Sequence, residues 1–285
     1  MNRRNAVQLA VAAVGAPLFG GRPDVKIGLN AYSFNQPLRD GAMTLSDVVD
    51  FCSQHGIEAL DATGYYFPGY PAVAPDDYLF ALKRRSFASG IVVSGTGVRN
   101  DFAVADEAAR RRDLQMVKDW IAVAAKLGAG IIRVFTGLRV PEGHRFESVL
   151  EWMVPLFKEC AAHGRARGVI VGLQNHHDFA KTAAETIRIV KAVDSDWFRV
   201  ILDVGSLRMA DPYEEIERLI PYAASWQLKE NVFYGTKETP VDLPRLKGII
   251  DKAGYRGYLP IETLGAGDPR VKVPRFLAQV REVFG

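Results

Sequence analysis

Val169-Ile-Val-Gly-Leu-Gln-Asn-His-His-Asp178 decides the fold, because a continuous apolar run stops abruptly in five consecutive polar residues. A strand buried on both faces reads as an unbroken apolar run. In α/β barrels and open α/β sheets the polar chemistry emerges at its C-terminal end. Three further stretches end in the same way. Phe198-Arg-Val-Ile-Leu-Asp203 delivers a carboxylate, and so does Tyr258-Leu-Pro-Ile-Glu262. Ser225-Trp-Gln-Leu-Lys-Glu-Asn231 delivers amides, an ammonium and a carboxylate. Four strand ends with convergent polar groups form the plan of an active site.

Eight short apolar runs recur along the chain: Val25–Asn30, Ile57–Thr63, Ile91–Val98, Gly130–Thr136, Val169–Gln174, Arg199–Asp203, Ser225–Lys229 and Tyr258–Glu262. Amphipathic segments lie between them. Leu114, Val117, Ile121, Ala124 and Leu127 recur at helical spacing before Gly128, a helix stop, and Thr44-Leu-Ser-Asp47 reads as a helix start. Eight strand–helix repeats predict an α/β fold, a (β/α)₈ barrel, as one domain over residues 24–285. No Gly-x-Gly-x-x-Gly follows the first strand to support a dinucleotide fold. The barrel places Asn30, Thr63, Arg99, Thr136, Gln174, Asp203, Gln227, Lys229 and Glu262 on the face that carries active sites.

Composition narrows the partners. The 285 residues are 48% hydrophobic and 24% charged, enough for a large core and unlike a disordered chain. Net charge is +3 without a Lys/Arg run, so bulk charge argues for a small-molecule partner rather than nucleic acid. Cys52 and Cys160 fall in helical, mostly apolar patterns, where a thiol behaves as a small hydrophobe rather than half of a disulfide. Residues 1–23 stand apart. Arg3-Arg4 precedes the apolar stretch 6–16, too short for a stable membrane anchor, and reads as a twin-arginine-like export signal to the periplasm. The alternative is a frayed or disordered N-terminus on a cytoplasmic protein.

The loop Gly64-Tyr-Tyr-Phe-Pro-Gly-Tyr-Pro71 sets Tyr65, Tyr66 and two further aromatics at the barrel top. They either face a sugar ring or cover the rim. Arg99 adds a guanidinium able to fork onto an oxyanion.

Over essentially all of Asp24 to Gly285 the chain resembles the xylose isomerase-like TIM-barrel superfamily of sugar phosphate isomerases and epimerases, which also includes endonuclease IV. The matching segments are Ile-Leu-Asp-Val-Gly-Ser206 and Leu-Pro-Ile-Glu-Thr263. The resemblance implies a metal-binding Glu, Asp, His and Glu, which fall here on Gln174, Asp203, Gln227 and Glu262. Two of the four have become glutamine. Two carboxylates and two amide oxygens suit a hard divalent cation, Mn²⁺ or Mg²⁺ rather than zinc, with His176 a substitute ligand. The alternative is a metal-free site in which Gln174 and Gln227 hydrogen-bond sugar hydroxyls.

The resembling epimerases abstract a proton next to a carbonyl with two metal-linked glutamates, of which only Glu262 remains. The further acid–base candidates are His176, His177 and Lys229, the last also an electrostatic clamp on an enediolate. Strand alternation sends the two histidines in opposite directions, and each is alternatively a structural hydrogen-bonder. Lys229 and Glu230 are read either as site residues or as a rim salt bridge. Arg99, Tyr65, Tyr66, Asn30, Gln227 and Glu230 are the substrate-binding candidates. The expected function is a carbohydrate isomerase or epimerase, with cleavage of 3-keto-glycosides by β-elimination and a non-catalytic sugar-binding barrel as alternatives. Barrels of this family often associate, which admits a homo-oligomer. Asp203→Ala and Glu262→Ala are expected to abolish activity and leave the fold intact.

Overall fold

Each of the eight apolar runs becomes a parallel strand, since a run without polar alternation must be covered on both faces. The structure, a computed structural model, describes residues 25–176 and 178–285. The leader at 1–23 and the candidate His177 lie outside the described residues. In chain order the elements are β1 (Lys26–Asn30), α1 (Asn35–Arg39), α2 (Leu45–Gln54), β2 (Ala59–Thr63), α3 (Asp76–Ala88), β3 (Val92–Gly97), α4 (Glu107–Leu127) and β4 (Ile131–Val134). They continue with α5 (Phe146–Arg165), β5 (Ile170–Gln174), α6 (Ala183–Val193), β6 (Phe198–Asp203), α7 (Pro212–Leu219), β7 (Ala223–Lys229), β8 (Asn231–Tyr234), β9 (Lys237–Pro240), α8 (Leu243–Ala253), β10 (Tyr258–Glu262) and α9 (Pro269–Phe284).

The barrel closes in the order β1-β10-β7-β6-β5-β4-β3-β2, with every pair parallel. It is a (β/α)₈ barrel and a single domain, as the strand count predicted. Helices start and stop where the sequence signals them. Thr44 and Asp47 form a reciprocal capping box on α2, and Gly128 ends α4 in the left-handed region at φ 80°. Leu114, Val117, Ile121, Ala124 and Leu127 of α4 are all buried against the barrel. Cys52 in α2 and Cys160 in α5 are free and buried. No helix among the described residues is long and apolar enough to cross a membrane.

Strand alternation sorts β7 into two faces. Trp226 and Leu228 pack into the helix layer, while Ser225, Gln227 and Lys229 share the face toward the barrel interior. One element had no counterpart in the sequence reading. The antiparallel hairpin β8–β9 leaves the end of β7, turning at Gly235 with φ 64°. A two-residue turn with glycine at its first central position supplies the twist that a hairpin needs.

Candidate active site

Asp203 ends β6 as the anchor of the site and is fully buried. Its Oδ1 accepts the Gly205 N–H at 2.9 Å, an Asx turn into the short 3₁₀ segment Val204–Ser206. Its Oδ2 accepts from Gln174 Nε2 at 2.6 Å, Ser206 Oγ at 2.7 Å and Lys229 Nζ at 2.8 Å. Asn175 holds the backbone of the same residue, donating to its carbonyl at 2.9 Å and accepting its N–H at 2.8 Å. Burial alone pushes this carboxyl up, but the Lys229 ammonium and the Ser206 hydroxyl outweigh burial and hold it below the ordinary aspartate value.

Glu262, at the end of β10, is the register partner of Lys229 on β7. Lys229 Nζ lies 3.4 Å from Glu262 Oε1, so one ammonium spans two carboxylates from strands on either side of its own. Burial opposes its charge, but Asp203 and Glu262 outweigh that penalty and keep it protonated well above neutrality. Glu262 responds in the opposite sense to Asp203. Burial raises its carboxyl above the ordinary glutamate value, Lys229 opposes only in part, and Asp203 adds to the rise. The 2.8 Å and 3.4 Å distances explain the split, because the shorter, multiply donated bond stabilises the charged form more.

The donor set does not fit a resident divalent ion as it is arranged. Asp203 Oδ2 already accepts three donors, and the gap between the two carboxylates holds Lys229 Nζ. A second cation there would meet an ammonium. Gln174 Oε1 and Gln227 Nε2 are buried without a partner and remain for a ligand's polar groups.

Across the mouth stands an aromatic wall. Arg133 of β4 is buried, donates to the Tyr65 hydroxyl at 3.0 Å, and has its guanidinium 5.3 Å from the Tyr65 ring centroid and 5.1 Å from that of Phe135. Gly97 makes room for it, since a Cβ there would fall 2.8 Å from Arg133 Cβ. His176 meets Phe135 edge-on at 5.5 Å, and its Nδ1 lies 2.7 Å from Asp178 Oδ2. That carboxylate puts the ring hydrogen on Nδ1 and the lone pair on Nε2. Burial lowers the histidine's pKa, with Asp203 and Asp178 opposing, so the ring is neutral at pH 7.

These groups line one pocket of about 290 Å³. That is near the lower end of small-ligand sites, roughly 300–1,000 Å³. Of the candidates read from sequence, Tyr65, Arg99, Gln174, His176, Gln227, Lys229, Glu230 and Glu262 line it, with Asp203 directly beneath. Two do not. Asn30 caps the turn after β1, accepting from Tyr32 N at 2.8 Å and Thr63 Oγ1 at 3.0 Å. Tyr66 turns away to donate to Asn35 Oδ1 at 3.0 Å. The rest of the aromatic loop covers the rim, with Phe67 and Tyr70 packed edge-on against Trp120. Lys229 and Glu230 form no ion pair with each other, because the Lys229 ammonium is taken up by Asp203 and Glu262. Glu230 pairs instead with Lys272 at 3.2 Å.

Sequence reasoning missed Tyr32, Arg133, Phe135, Ser206, Arg208 and the hairpin residues Phe233 and Glu238, all in the pocket lining, while Asn231, read as one of the amides after β7, lines it too. Two carried a signal. Arg133 interrupts the apolar run Ile131-Ile-Arg-Val134, and a charge inside a buried strand has to serve something. Tyr234-Gly-Thr-Lys237 is a hairpin turn by composition.

A family model described as xylose isomerase-like TIM barrel matches residues 49–280. No curated protein matches the sequence. Among solved structures, D-psicose 3-epimerase in the presence of D-fructose superposes with a TM-score of 0.77 at 14% identity, covering 92% of this chain and 100% of that one. The 3-keto-D-glucoside 4-epimerase from E. coli gives 0.73 at 14% identity, with 90% and 99% covered. The IolI protein with a bound zinc atom gives 0.74 at 15% identity, with 92% and 100% covered. At these identities the likeness is one of fold.

Proposed function

The chain belongs to the xylose isomerase-like TIM-barrel family, and from that premise and the chemistry of the pocket we propose that it is a sugar isomerase or epimerase that abstracts a proton alpha to a carbonyl. The observation that carries this reading is Glu262, a buried carboxylate whose proton affinity burial has raised, set beside a fixed ammonium at the mouth of the barrel. A base with raised affinity takes a carbon-bound proton more readily, and a cation beside it stabilises the oxyanion that forms. Psicose and 3-keto-glucoside epimerases share the fold, which supports a ketose or keto-sugar as substrate. The resemblance implies a divalent metal and one fold relative carries zinc, whereas each role named here falls to a side chain of this chain.

His176, neutral and oriented by Asp178, is the second acid–base group on the pocket wall and the natural carrier of a proton to or from the sugar. Tyr65, Phe135 and Phe233 offer apolar ring faces, while Arg99, Arg133, Gln174 and Gln227 offer polar contacts. The Arg3-Arg4 leader favours an exported enzyme, which would meet unphosphorylated sugars.

The hairpin favours a second reading, β-elimination of a 3-keto-glycoside. Phe233, with the Arg208 guanidinium 4.2 Å from its ring centroid, adds to the pocket lining an aromatic face on which an aglycone could stack. Both readings begin with the same enolisation. The test is proton NMR in D₂O with D-psicose, D-fructose and a 3-keto-glucoside. Deuterium entering at the carbon beside the carbonyl, abolished by Glu262→Gln, is the expected result; release of the aglycone selects elimination. Binding without exchange on any of the three would leave a sugar-binding barrel.

A further inference from the structure

We propose that the Lys229 ammonium is the resident cation of this site, standing between Asp203 and Glu262 in place of a divalent metal, so that the sugar is enolised without one. This rests on the enolisation reading above for its chemistry, but not for its geometry. Nζ is 2.8 Å from Asp203 and 3.4 Å from Glu262, and the lysine side chain is only 12% exposed. Its stem passes over Gly205, where a Cβ would fall 2.6 Å from Lys229 Cδ, so the absence of a side chain at 205 is what lets the lysine reach in.

The charges agree with this placement. The resemblance puts a glutamate at position 174, where this chain has an amide. With it, three carboxylates would surround a doubly charged ion; here two surround a singly charged one. The donor set has lost one negative charge and the cation one positive charge, so the net charge of the cluster is unchanged. Gln174 also turns its Nε2 toward Asp203, as one of four donors to the carboxylate rather than a ligand to a metal.

Asp203 then acts as a positioning residue. It is covered from the pocket, and its oxygens are filled by Gly205, Ser206, Gln174 and Lys229. An ammonium carries three hydrogens. Two point at Asp203 and Glu262, and the third is for the substrate. Glu262 takes the proton from the carbon beside the carbonyl. The C–H electron pair becomes the C=C bond, and the carbonyl pair moves onto oxygen as an enolate that accepts the third Lys229 hydrogen. Return of a proton to carbon closes the cycle with no redox change.

The test measures Mn²⁺ binding without any sugar, so it stands apart from whether the enolisation reading holds. Wild type, Lys229→Met and Lys229→Arg are dialysed against Mn²⁺, analysed for bound metal, and melted with and without the ion. Wild type and Lys229→Arg are expected to retain no stoichiometric Mn²⁺ and to show no shift in Tm. Lys229→Met exposes two uncompensated carboxylates and is expected to bind Mn²⁺ roughly tenfold or more tightly. Stoichiometric Mn²⁺ in wild type, lost in Asp203→Asn, would overturn the proposal, as would a Lys229→Met variant that folds and binds no better than wild type. If Lys229→Met fails to fold, the wild-type measurement decides. Where a substrate turns over, EDTA is expected to leave its exchange rate unchanged.

Discussion

The two sides of the pocket hold their charges in different ways. On the β5–β6–β7–β10 side, Gln174, Asp203, Lys229 and Glu262 are locked to one another by short polar contacts with almost no exposed surface. On the β4 side, Arg133 is held by two aromatic faces and one phenol, and its Nε has no partner. The first side has paid its desolvation cost with fixed partners and can hold a charge where a reaction needs one. The second is built of aromatic rings, whose faces suit the apolar side of a ligand. On the function proposed above, the first side would hold the base and the cation, and the second would set the fit of the substrate, with His176 standing where the two meet.

The largest expected effect tests the locked side. Asp203→Ala takes the acceptor from Gln174 and Ser206 and leaves Lys229 only the longer contact to Glu262, and breaking such a buried pair costs about 3–5 kcal/mol. The urea midpoint should fall sharply and turnover should vanish. This differs from the sequence expectation of an intact fold, because Asp203 holds the site up from below. Glu262→Gln should retain most of its stability yet lose about 10²–10⁴-fold in kcat, the usual worth of a general base. Equal losses of stability in the two variants would collapse the distinction between anchor and base.

Next comes Gly205→Ala, whose Cβ would press on the Lys229 stem. Overpacking of this kind costs about 1–3 kcal/mol, and kcat should fall while KM for the sugar holds. Tyr65→Phe on the aromatic side removes only the hydroxyl that accepts from Arg133. It should cost about 1 kcal/mol and move KM more than kcat. A larger kcat effect here than in Gly205→Ala would reverse the assignment of the two sides.

The smallest effect is in acid. Asp203 is shifted down in the fold, so the stability it contributes is present above its unfolded value of 3.8 and is lost as pH falls through its folded value. Glu262 is shifted up, so its contribution is full below 4.5 and is lost as pH rises through its folded value. Urea titrations against pH should therefore show Asp203→Asn flattening the acid limb and Glu262→Gln flattening the rise of stability on acidification from neutrality. The same slope change in both variants would contradict the opposite shifts.

The barrel was legible because its signal is repeated. Eight apolar runs and helix stops such as Gly128 each state the same fold, and strand ends such as Asp203 and Glu262 announce the site through position alone. Lys229 was legible as a candidate, but not as a bridge, because that depends on the register pairing it with Glu262. Asn30 and Tyr66 sit at the right height and failed for local reasons, the one capping its own turn and the other satisfied by Asn35. Phe135 went unread because an aromatic just past the end of an apolar run looks like any other core residue, whereas the signal of Arg133, a charge inside that run, was there to be read.

The hairpin β8–β9 begins two residues after Lys229, carries Phe233 and Glu238 over the pocket, and is tied at its turn by Gly235 N–H to Met209 O at 2.9 Å. Only Glu230 separates the hairpin from the residue that carries the ammonium. A substitution that shifts the hairpin is therefore expected to be felt at the cation as well, tying the size of ligand admitted to the charge held beneath it.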